Sequence, residues 1–249
     1  MLPDPIETTP AEVIVEAQPP PPREPFWGYS DLALVIGLTF AFLMVLAIIA
    51  IAAYHGVIPT DSPALILISN LAMYLILYIA FRLVFGLRYG KPVFSSLGWR
   101  RARFSFALIA VGGVALAFAI SGIAALLHTP KINSEIEKLL ESRVSLALFG
   151  TMAVTIAPFF EELFFRGFLQ PLLSRSFGIV AGVLTTAALF GLIHAPEYSW
   201  AWQYALAVAL VGAVLGWVRA ATGSIIPSTL MHACYNAVFV VAAAFQHPK

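Results

Sequence analysis

Charge is what this sequence has least of. Only 11% of its 249 residues are Asp, Glu, Lys or Arg, against roughly a quarter in soluble domains. With 60% hydrophobic residues and a mean hydropathy of +0.89, the composition excludes an ordinary soluble domain and implies a polytopic membrane protein. The net charge is +1. No basic face is therefore available to displace counterions, and nucleic acid is excluded as a partner. Cysteine is nearly absent. Cys234 stands alone, which rules out an internal disulfide framework and any cysteine-built metal cluster. The N-terminus also lacks a basic region leading into an apolar core, so it does not read as a cleaved signal peptide.

Residues 1–30 read instead as a disordered tail. Asp4, Glu7, Glu12, Glu16 and Glu24, with the run Pro19 to Pro22, cannot bury a core and favour an extended, solvated chain. A membrane span needs about 20 apolar residues, and seven stretches qualify: Leu32 to Tyr54, Ala64 to Phe85, Phe104 to Leu127, Val144 to Phe160, Phe177 to His194, Trp200 to Val218 and Ile225 to Phe245. The expected fold is all-α, a transmembrane helical bundle of about seven spans, with N-terminal helices over 31–128. Gly112-Gly113 in the third span predicts close helix contact. Between the third and fourth spans, residues 129–143 read as a short interfacial helix, with Ser134 and Glu137 spaced as a capping box. Asn70 reads as an interhelical hydrogen-bonding residue, and Trp200, Trp202 and Trp217 as an aromatic belt.

Lys and Arg in loops set orientation. Arg23, Arg82, Arg88, Lys91, Arg100, Arg101, Arg103, Arg166, Arg175 and Arg219 fall on one side; Lys131, Lys138, Arg143 and Lys249 fall on the other, ten against four. This predicts a multi-pass protein of the plasma membrane with a cytoplasmic N-terminus.

Within that apolar chain, Ala157-Pro158-Phe159-Phe160-Glu161-Glu162-Leu163-Phe164-Phe165-Arg166-Gly167 is anomalous. An ionisable group at the bilayer centre costs on the order of 3 kcal/mol, and three fall here within six positions. Residues four apart share a helix face, so Glu162 faces Arg166 and can be neutralised by it. Glu161, rotated about 100°, is free for a different cavity. Further polar groups break the apolar pattern at His194, which follows Phe190 by four positions, and at His232 and Asn236, again four apart. Cys234, between the last two, faces away from both.

A carboxylate and a histidine in a water-limited pocket can activate water, and donors on a neighbouring helix can stabilise an oxyanion. Glu161, His194 and His232 could alternatively hold a divalent metal such as zinc with an open position for water. Two schemes thus stay open, one without a cofactor and one with a metal, and both end in hydrolysis of an acyl bond. Each element also has a structural alternative: His194 as a helix-end cap, His232 and Asn236 as interhelical glue, Glu162 and Arg166 as a stabilising ion pair. A proton-coupled transporter would predict an inverted repeat, which is not visible.

Glu161-Glu162 with Arg166, Phe190 with His194, and His232 with Asn236 resemble the three signature motifs of the CAAX protease and bacteriocin-processing family (CPBP, or Abi), which includes the Ras-converting CAAX endopeptidases. The resemblance covers about Ser145 to Val240 and defines a catalytic domain over 144–246. It implies an intramembrane endopeptidase acting on a membrane-associated peptide or protein, in CAAX-type or bacteriocin- and pheromone-type processing. Glu161 would be general base with His194, His232 and Asn236 would form the oxyanion hole, and Glu162, Arg166 and Phe190 would support them. A non-catalytic adaptor or immunity protein using the same polar core is the alternative. Depth is the difficulty. With ideal helices, Glu161 and His232 lie roughly 10 Å from the cytoplasmic side and His194 roughly 25 Å. A single long tilted helix from about Ser145 to Ser174 is the preferred resolution.

Overall fold

A computed structural model describes residues 24–54, 63–131 and 142–246. Most of the N-terminal tail, His55, the Ser134–Glu137 capping box and His247 lie outside the described residues. The described chain is helical throughout. The helices are α1 Tyr29–Tyr54, α2 Pro63–Phe81, the single turn α3 Val93–Ser96, α4 Phe106–Leu126, α5 Arg143–Val154, α6 Ile156–Glu162, α7 Gln170–Phe177, α8 Ile179–His194, α9 Trp202–Thr222 and α10 Ile225–Gln246. Among the described residues, seven stretches are long and apolar enough to cross a membrane. The protein is a multi-pass membrane helical bundle.

The fourth span differs most from a simple apolar run. It extends over Arg143–Phe177, 35 residues, and so passes well beyond Phe160, as a long helix requires. Two prolines shape it. Pro158 lacks the N–H that would bond Val154, and its ring crowds that carbonyl; the helix breaks at Thr155, with φ −120° and ψ −71°. Past Glu162 the chain forms a wider π-helical segment, Leu163–Leu169. There Gln170 N–H reaches back five residues to the Phe165 carbonyl, just ahead of Pro171, which has no N–H to offer. Such widened turns are frequent at functional sites. Arg166, counted above with the loop charges, is fully buried inside this span and drops out of the orientation bias.

Small residues let the later helices meet. A Cβ on Gly113 of α4 would collide with the Met231 carbonyl and the Cys234 side chain of α10. Cys234 therefore points at α4, away from His232 and Asn236 as expected. The α8–α9 pair packs antiparallel, with Gly212 of α9 meeting Ala187 and Phe190 of α8.

Phe26 and Trp27 fall inside the stretch assigned to the tail, but Trp27 is buried. Its ring packs with Phe85 and Phe168, and its Nε1 donates to the Phe168 carbonyl at 3.1 Å. An aromatic pair this apolar gains more from the bundle than from solvent. Next to it, Asp31 accepts from Gly28 N–H at 2.8 Å and from the Tyr89 hydroxyl at 2.7 Å, and pairs with Arg88 at 3.1 Å. Burial, and then the Asp31 bond and charge, push the Tyr89 phenol above its ordinary value. Among the described residues Asn70 makes no hydrogen bond to another helix. Its Nδ2 donates to Ile66 O of its own helix at 2.9 Å, the i−4 alternative open to a short polar side chain.

Candidate active site

Glu162 is sealed. Its Oε1 lies 3.0 Å from Arg166 Nη1, and both side chains have no exposed surface. The pairing follows from their four-residue spacing, but what holds Arg166 comes from elsewhere. Its Nη2 donates to the Gly212 carbonyl at 3.0 Å, and its guanidinium carbon stands 4.4 Å from the centroid of the Phe190 ring. One turn on, Gln170 Nε2 donates to the Gly216 carbonyl at 2.9 Å. Two polar side chains of the fourth span thus bond to carbonyls of α9, and Phe190 is the face against which the guanidinium rests.

Glu161 is different. Its side chain keeps 19% exposure, and its Oε1 accepts from the Tyr74 hydroxyl at 3.4 Å. Tyr74 is buried in the second span and stacks on Phe160, with centroids 5.1 Å apart. The sequence reading did not single out Tyr74. The available signal was a phenol near the middle of an apolar span, where a hydroxyl needs a partner.

His232 stands between the two carboxylates. Its Nδ1 is 3.3 Å from Glu162 Oε1, and its Nε2 is 3.8 Å from Glu161 Oε2. The first is within hydrogen-bond range and the second is beyond it. Ser228, one turn earlier on α10, is also buried, and its hydroxyl donates to the Ile225 carbonyl at 3.1 Å. Asn236 turns to the same side as His232, and its Nδ2 donates to the Ala153 carbonyl at 2.7 Å. That carbonyl lies just before the break at Thr155, where helix-end acceptors lack intrahelical partners. One amide hydrogen of Asn236 is used this way and the other is left.

His194 ends α8 at its junction with the short 3₁₀ turn Ala195–Tyr198. Its Nδ1 is 2.7 Å from the Phe190 carbonyl. A carbonyl only accepts, so Nδ1 carries the proton and Nε2 of the neutral ring presents a lone pair. The Phe190 ring lies 4.6 Å from that of His194 and 5.9 Å from that of His232. Both imidazoles are thus gathered about one phenyl ring, which the four-residue Phe190–His194 spacing alone did not reveal. No hydrogen bond or ion pair among the described residues joins His194 to Glu161. Glu197, three positions on, interacts electrostatically with both. It was passed over because a carboxylate beside a proline at a helix end reads as an ordinary loop residue.

The donors do not converge as a metal site. Among the described residues no three His, Cys, Asp or Glu side chains are gathered to hold an ion. Within the set Glu161, His194 and His232, the Nδ1 of each histidine is directed at an oxygen, which leaves Nε2 as the ring nitrogen open to a ligand.

Residues 143–238 match the family model described as Rce1-like, Type II CAAX prenyl endopeptidase Rce1-like. The matched segment contains all seven residues of the three motifs and stops short of Tyr74. No curated protein and no solved structure matches the chain.

Proposed function

We propose that this chain, whose residues 143–238 match the Rce1-like CAAX prenyl endopeptidase model, is an intramembrane protease that hydrolyses a peptide bond of a membrane-associated protein or peptide with a water activated by Glu161 and His194. The observation that carries this reading is the unequal treatment of the two carboxylates. Glu162 is enclosed with Arg166, whereas Glu161 keeps partial exposure beside His232.

In the proposed reaction the Glu161 carboxylate takes a proton from water as the water oxygen attacks the scissile carbonyl carbon. His194 orients that water by accepting a hydrogen bond at Nε2. The carbonyl oxygen becomes an oxyanion, to which the remaining Asn236 amide hydrogen donates together with His232 Nε2–H; with Nδ1–H given to Glu162, this role requires the His232 ring to carry a proton on both nitrogens. The proton held by Glu161 then passes to the amide nitrogen as the C–N bond breaks, giving a carboxylic acid and an amine; the acid proton passes to the amine as the products separate, leaving a carboxylate and an ammonium. Glu162 keeps His232 oriented through Nδ1, and Arg166 balances its charge. No step is routed through a metal, because the donors do not fit one. The substrate is of CAAX type or a bacteriocin- or pheromone-type peptide, reached from the membrane. Clustering of basic residues at one end of the bundle supports a plasma-membrane protein with a cytoplasmic N-terminus.

The test is Glu161→Gln in the full chain, reconstituted in vesicles, with cleavage products of membrane peptides followed by mass spectrometry. Turnover should fall at least a hundredfold while the melting temperature holds. Unchanged cleavage by the folded variant overturns the mechanism. If the cellular effect of the protein survives Glu161→Gln and His194→Gln but not deletion, the adaptor or immunity reading replaces it.

A further inference from the structure

The end of the bundle opposite the connection between α4 and α5 carries a second built feature, a pocket of about 580 Å³. Four separate parts of the chain form it: the segment before α1, the link from the second span to α4, helix α7, and the end of α9. Lys91, Arg100, Arg175 and Arg219 line it, and Glu24 is the one acidic lining residue. Four cations less one anion leave three uncompensated positive charges about a single cavity.

Each guanidinium is placed, but none is neutralised. Arg100 Nε donates to the Gly223 carbonyl at 3.0 Å, and Arg175 Nη1 donates to the Pro25 carbonyl. Arg219 lies within electrostatic reach of Arg100, a like charge, and more weakly of Glu24, and its buried Nε has no hydrogen-bond partner among the described residues. It rests directly over Gly98, where a Cβ would come within 2.9 Å of Nη2. None of the four cations has a carboxylate within ion-pair distance among the described residues. Gathering like charges around a partly enclosed site is unfavourable, and a buried donor without an acceptor adds to that. An anion in the cavity would answer both.

We propose that this pocket binds a phosphate group, carried by an acidic phospholipid or by a small phosphate compound. Guanidinium forks match phosphate oxygens in pairs, and the volume suits a small head group. Trp27, Pro92 and Pro171 supply apolar lining beside the cations, as a site at the lipid interface needs. This is the bundle end richest in Lys and Arg, and a cytoplasmic leaflet is rich in anionic lipid. The pocket touches the fourth span at Pro171 and Arg175, the same helix that carries Glu161.

The experiment is native mass spectrometry of the full chain released from detergent with phosphatidylglycerol or phosphatidylcholine. Phosphatidylglycerol should be retained at least tenfold more strongly. Arg100→Gln and Arg219→Gln should each weaken retention about tenfold. Ser95→Trp, at an exposed lining position, should block it without replacing any of the four cations. Displacement by millimolar glycerol 3-phosphate identifies a soluble phosphate as sufficient; resistance to it identifies the lipid. Equal retention of the two lipids, or wild-type retention by Ser95→Trp and both arginine variants, overturns the proposal.

Discussion

The Tyr74 hydroxyl donates to Glu161 Oε1 across 3.4 Å, joining the second span to the fourth at the carboxylate left partly open. Tyr74 lies outside the family-matched segment 143–238 and Glu161 inside it, so the N-terminal helices contribute directly to the candidate site. Tyr74 is a positioning residue under the proposed mechanism, because it acts through Glu161.

Tyr74→Phe keeps the ring that stacks on Phe160 and removes only the donor. A hydrogen bond to a charged group contributes about 1.5–3 kcal/mol, the lower end suiting this long bond. We expect kcat to fall about tenfold, with KM and melting temperature little changed. A steady-state assay on a membrane peptide checks it, and an unchanged kcat rejects the positioning role.

Breaking the Glu162–Arg166 pair has a different signature. Removing one partner of a buried pair leaves an uncompensated charge, at about 3–5 kcal/mol. Arg166→Met and Glu162→Gln should each lower stability on that scale in SDS-titrated unfolding. The double variant should lose less than the sum, since neither charge is then stranded. Strict additivity would show that the two side chains are not coupled.

Asn236→Ala tests the oxyanion assignment. Loss of one such donor typically lowers kcat by about 10²–10³. That loss should appear in kcat rather than KM. A variant impaired only in stability would show instead that the Ala153 bond is the whole role of Asn236.

Gly113→Leu tests the packing of α4 on α10. The close approach leaves no room for a side chain, and overpacking costs about 1–3 kcal/mol. The melting temperature should drop, and activity should drop with it, because α10 carries His232 and Asn236. A wild-type melting temperature would mean that the helices can separate without loss.

Much of this was legible from residue spacing. Apolar run lengths determined the number of spans, because a bilayer must be crossed by helices that satisfy their own backbone. The four-residue rule placed Glu162 against Arg166 and put His232 and Asn236 on one side. Helix boundaries were less legible: the fourth span runs to Phe177, since an amphipathic turn beyond Arg166 carries no hydropathy signal.

Contacts between distant spans were decided by the tertiary structure. Tyr74 meeting Glu161, Arg166 bonding Gly212, and His232 lying between two carboxylates depend on how helices separated by dozens of residues are packed and tilted. Spacing along one helix cannot encode that. The charges that make the basic pocket were all visible as loop residues; their convergence was not, because four segments must meet to form it. The sequence by itself determined that the chain is a seven-span bundle with a polar interior. Only packing decided which carboxylate stays open, because enclosure is a property of neighbouring helices and not of the residue.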